Sequence, residues 1–67
     1  MSSFRALDQV ASALLSSVGN DVSFRSVSTR VLLRTGVNLR VPKPNQVSDP
    51  VAIGKVVSAL TDMGYQL

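Results

Sequence analysis

Apolar residues recur along this chain in three stretches with the three-to-four spacing of a helix, and glycine, asparagine and proline mark the breaks between them. The clearest stretch is Ser48 to Gly64, SDPVAIGKVVSALTDMG. Asp49 suits the N-cap, and Pro50 suits the first helical position, where its missing N–H is no loss. At about 100° per residue, Ile53, Val56, Val57, Leu60 and Met63 fall on one stripe, with Ala52 and Ala59 at its edge. Gly64 supplies the left-handed residue that ends the helix. The opposite face carries Val51, Gly54, Lys55, Ser58, Thr61 and Asp62. It is mostly small and polar with one cation, which leaves room for something large to come close.

Two further helices are predicted upstream. Phe4, Leu7, Val10, Ala11, Leu14, Leu15 and Val18 place one over residues 4–18, capped by Ser2 or Ser3 and stopped by Gly19-Asn20. Asp21-Val22-Ser23 then reads as a short extended connector, able to form a rung of a small sheet with Tyr65-Gln66-Leu67. With Ser23 as N-cap and Gly36 as stop, a second helix covers residues 24–35 and buries Phe24, Val27, Val31 and Leu32. Leu33 breaks that pattern on the far side: it packs under the following loop or marks a partner surface. Residues 37–47, VNLRVPKPNQV, exclude a helix interior because of Pro42 and Pro44. Val37, Leu39 and Val41 alternate there with Asn38 and Arg40, as in a brief strand.

The expected fold is therefore mainly α: one compact three-helix domain, with helices near 4–18, 24–35 and 50–63 and at most a minimal two-stranded sheet. Its core should hold Phe4, Leu7, Val10, Leu14, Phe24, Val27, Val31, Ile53, Val56, Val57 and Leu60. A chain of 67 residues sits close to the lower size at which a core supports itself.

Composition narrows the chemistry. With 45% hydrophobic and 16% charged residues the chain is compositionally globular, and two Phe and one Tyr leave the core aliphatic. Cys and His are absent, so disulfides and thiolate or imidazole metal sites are not expected. The acids are Asp8, Asp21, Asp49 and Asp62, far apart in sequence, and no titratable pair suggests general acid–base or nucleophilic catalysis. The expectation is a protein that is not an enzyme, with no cofactor, metal or small-molecule substrate.

Charge points towards polyanions. The net charge is +3, and Arg25, Arg30, Arg34, Arg40 and Lys43 occupy a stretch that contains no acid. The 37–47 segment either presents Arg40 and Lys43 to an anion or is a solvated linker. No apolar run is long enough to span a bilayer, and Arg5 and Asp8 interrupt the N-terminal pattern that a secretory signal would need. An intracellular location, cytoplasmic or nuclear, with no membrane partner is expected.

Helix, short extended piece, helix, connection, longer capped helix and a Gly-aromatic step: this order resembles the winged-helix branch of the helix-turn-helix class. The residues that carry the likeness are Ile53 to Tyr65, IGKVVSALTDMGY, similar to the last helix of such domains, whose apolar stripe ends in Leu-x-x-x-Gly-aromatic. The connection over residues 37–47, with its two prolines, is longer than the family's usual turn. The resemblance implies that the third helix approaches the DNA major groove with its N-terminal half, here Val51, Gly54, Lys55 and Ser58. Helix two would then turn its arginines to the backbone.

Double-stranded DNA binding is thus the expected function, through Arg25, Arg30, Arg34, Arg40, Lys43, Gln46, Val51, Lys55 and Ser58. No pair of aromatics offers a stacking platform for single strands. The alternative is a non-enzymatic protein-interaction or assembly module, in which a protein partner or a second copy covers Leu33, Val51 and the 37–41 segment. Solvent exposure of Val51, Lys55 and Ser58 beside Arg40 and Lys43 would favour DNA. Cover by another helix or subunit would favour the alternative.

Overall fold

A computed structural model describes residues 4–67, which form three helices: α1 (Leu7–Val18), α2 (Asp21–Thr35) and α3 (Pro50–Asp62). No strand is present among the described residues. Each helix packs on the other two, α2 most extensively on α3. The radius of gyration is 10.5 Å, as for a close-packed chain of this length.

The start of α1 differs from the expectation. It begins at Leu7 rather than Phe4, after Ala6 in extended conformation (φ −151°, ψ 155°), which provides no side-chain cap. The expected caps Ser2 and Ser3 lie outside the described residues. The Leu7 amide instead donates to the Val47 carbonyl at 2.8 Å, so the loop before α3 satisfies an open N–H of α1. That long-range partner is invisible to local sequence rules.

α2 begins three residues earlier than predicted. Asn20, in extended conformation, accepts at its Oδ1 from the Ser23 amide at 2.8 Å and is the N-cap in place of Ser23. Asp21 then sits in the first turn, where its charge complements the positive end of the helix. Asp21-Val22-Ser23 is therefore helical and forms no rung with Tyr65-Gln66-Leu67, which is irregular. The reason is competition at the cap. Asn20 follows the stop of α1, and its side chain is also better placed than that of Ser23 to cap α2.

α3 follows the expectation closely. Asp49 Oδ1 accepts from the Val51 amide at 3.0 Å, and Pro50 occupies the first turn. The helix closes through Gly64 at φ +93°, a left-handed conformation that side-chain-bearing residues resist, with the Tyr65 amide donating to the Leu60 carbonyl at 3.0 Å.

Leu7, Val10, Leu14, Val27, Val31, Ile53, Val56 and Leu60 are buried as predicted, joined by Ala52 and Ala59. Phe4, Phe24 and Val57 are only half-buried and pack at the edge of this cluster. Leu32, predicted inside, is partly exposed. Leu33 is 82% exposed, so it does not pack under the following loop.

The 37–47 segment contributes to the core. Val37 and Leu39 are each only 2% exposed, which makes them as internal as the helix stripes. The strand-like alternation ends there, because Asn38 Oδ1 accepts from the amides of Arg40 (2.9 Å) and Val41 (3.1 Å) and turns the chain outwards. Val41 is left in solvent. Thr35 pins the segment's other end, donating to the Val31 carbonyl at 2.7 Å and accepting from the Val37 amide at 3.1 Å. The reading as a solvated linker is corrected for the first part of the segment, where Val37 and Leu39 pack into the domain, while Arg40, Val41 and residues 43–45 stand in solvent.

Candidate nucleic-acid interface

The cations of α2 divide by helical geometry. Arg30 and Arg34 are one turn apart and share a side, whereas Arg25 and Arg34, nine residues apart, lie about 180° round the axis from each other. One helix therefore supplies arginines to two different surfaces.

The first surface is an open groove of about 670 Å³ between α2 and α3. Arg34 and Thr35 form its α2 wall, and Gly54, Lys55, Ser58, Ala59 and Asp62 come from α3. Arg34, Gly54, Lys55 and Ser58 are all exposed. A Cβ added at Gly54 would meet nothing within 4 Å, so packing inside the domain does not require glycine there. Glycine in a helix interior is less favourable than alanine by about 0.5–1 kcal/mol. Its consequence here is an α3 backbone open to close approach from outside, next to two cations. Asp62 lies towards the C-terminal end of α3 and works against an anion at that end.

The second surface is a groove of about 550 Å³ between α1, α2 and the loop. Arg25 and Arg40 line it, but so do Asp8 and Asp21, with Phe24 and Leu39 among the apolar walls. Its charges balance.

The predicted site residues are therefore not one cluster. Arg34, Lys55 and Ser58 meet in the α2–α3 groove, and Arg25 and Arg40 meet in the mixed-charge groove. Arg30, Lys43, Gln46 and Val51 line neither. Arg30 and Lys43 are exposed, and Val51 stands on the same face of α3 as Lys55 and Ser58, one turn before Lys55. Gln46 is half-buried and its Oε1 is secluded without a hydrogen-bond partner among the described residues. Its backbone forms the turn into α3, accepting from the Asp49 amide at 3.1 Å and donating to the Lys43 carbonyl at 2.8 Å. Through its backbone Gln46 thus helps shape the turn into α3.

Asp49, whose charge at the N-terminus of α3 would repel phosphate, is engaged as the cap of that helix. Val51, Lys55 and Ser58 are open to solvent, and Arg34 lines the groove that holds Lys55 and Ser58, whereas Arg40 lines the other groove. The packing of α2 on α3 sets which cations share a groove with α3, and no local pattern encodes it.

Among the described residues, no group of three or more acids or other metal-binding side chains gathers to hold a metal ion. No helix among them is long and apolar enough to cross a membrane. The chain has no match among known protein families, curated proteins or solved structures.

Proposed function

We propose that this domain binds double-stranded DNA through its phosphate backbone, with the α2–α3 groove as the primary seat. The observation that carries this reading is the convergence of Arg34 and Lys55, from two different helices, over an exposed helix face that is bare at Gly54. Two cations flanking a surface without bulk suit a phosphate, whose charge is met from both sides while the backbone approaches α3. Arg30 extends the cationic side by one turn of α2, and Ser58 adds a short hydroxyl. The winged-helix likeness agrees with this placement, since it turns the same face of α3 towards DNA.

Arg25 and Arg40 play a lesser part, because Asp8 and Asp21 share their groove. With Arg30, Arg34 and Lys55 as the main phosphate contacts, log affinity should fall with log salt at a slope of about −2.7. The test is an amide-resolved NMR titration with a short mixed-sequence duplex at two salt concentrations. Shifts centred on 30–35 and 51–58 that fade with salt support the reading. An unchanged spectrum at low salt refutes it.

A second reading, a protein-interaction module, is favoured by a different observation. Val22, Leu33, Val41 and Val51 are large aliphatic side chains standing well out in solvent.

A further inference from the structure

Residues of α2 that the core does not use form a second pattern. Val22, Ser26, Thr29 and Leu33 follow i, i+4, i+7, i+11 spacing and fall within about 60° of one another round the helix. All four are exposed, with Val22 at 80% and Leu33 at 82%. The stripe is about 16 Å long, the length of three helical turns. Its polar members cost little to cover. Thr29 Oγ1 already donates to the Arg25 carbonyl at 2.9 Å, so its hydroxyl proton needs no new partner. Arg25 borders the stripe on one side and Arg30 on the other, each about 40° beyond its edge. Arg25 also lines the mixed-charge groove with Asp8 and Asp21, so Arg30 is the less compensated of the two margin cations.

We infer that this outer face of α2 docks an amphipathic helix of another protein whose apolar stripe is flanked by acidic residues. Large apolar groups at both ends, small residues between and a cation along each margin fit a helix laid lengthwise, with apolar anchors in the middle and carboxylates over the arginines. A second copy of this chain fits poorly. An antiparallel two-fold pairing that sets Val22 against Leu33 of the other copy keeps each margin on its own side, so Arg25 meets the other copy's Arg25 along one margin and Arg30 meets its Arg30 along the other. A lipid surface fits poorly as well, since Ser26 and Thr29 interrupt the apolar face that an interfacial helix would bury. This inference rests on the second reading above; it shares Arg30 with the DNA reading, whereas Val22 and Leu33 belong to it alone.

The probe is a synthetic helical peptide with leucines at i, i+4, i+7 and i+11 and glutamates on both flanks, titrated into the isotopically labelled domain. A control peptide carries lysines in place of the glutamates. Expected are amide shifts concentrated on 22–33 with the acidic peptide and none with the lysine peptide. Leu33→Ser should weaken binding about tenfold by removing one apolar anchor, with the remaining amide spectrum unchanged. Val22→Ser serves as an independent second variant. DNA affinity should be the same in both variants. Absence of shifts, equal shifts with both peptides, or the same shifts with anionic phospholipid vesicles would overturn the inference. Shifts confined to Val41 and Val51 would also overturn it while leaving the broader interaction reading in place.

Discussion

The two grooves beside α2 are similar in size and opposite in electrical character. The α2–α3 groove gathers Arg34 and Lys55 against the lone Asp62, whereas the groove towards α1 balances Arg25 and Arg40 with Asp8 and Asp21. Both take an arginine from the same helix, and the two arginines are chemically identical. What separates them is the company that the fold gives each one. Counting cations along the chain merges the two surfaces, and only the local balance of charge tells which attracts a phosphate.

The largest expected effect removes the frame that both grooves share. Leu60 is fully buried in α3 beneath the cluster, and Leu60→Ala should cost about 2–5 kcal/mol through lost transfer energy and the cavity left behind. Urea denaturation measures it. A loss under about half a kcal/mol would mean that the α3 stripe contributes little to the core.

Next in size is the contrast itself. Arg34→Ala or Lys55→Ala should each reduce the salt slope of DNA binding by about 0.9 and weaken all duplex sequences alike. Arg25→Ala should change the slope by well under half of that. Fluorescence anisotropy across a salt series reads both. Equal effects from Arg25 and Arg34 would erase the distinction between the grooves.

Gly54→Ala sharpens the comparison because it separates folding from binding. With nothing within 4 Å of the added Cβ, the variant should be more stable by about 0.5–1 kcal/mol. Its DNA affinity should nevertheless fall, since the methyl group stands where the backbone is proposed to approach. A more stable variant with unchanged affinity would place the DNA elsewhere. The smallest effect should come from Asp8→Asn, which removes one acid from the balanced groove and should raise DNA affinity about twofold at low salt. Isothermal titration at low and high salt checks it, and the gain should vanish at the higher concentration.

Much of the fold is legible in the sequence wherever a local rule decides the outcome. The start and stop of α3, the left-handed Gly64 and the buried stripe through Ile53, Val56 and Leu60 all come from spacing, capping chemistry and the steric freedom of glycine. Each depends on residues a few positions apart. The start of α2 escapes the same rules although its determinant is also local, because Asn20 stands at the stop of one helix and caps the next.

Tertiary structure decided what depends on residues distant in the chain. Val37 and Leu39 enter the core because the loop folds back under the helices, and the Val47 carbonyl caps α1 from forty residues away. The pairing of Arg34 with Lys55, and of Arg25 with acids, likewise depends on how α2 sits on its neighbours. Three helices, their inward stripes and a surplus of positive charge follow from the chain alone, since periodicity and composition are properties of the chain. Where that charge collects is a property of packing, because Coulomb attraction depends on distances in space and not on separation along the chain.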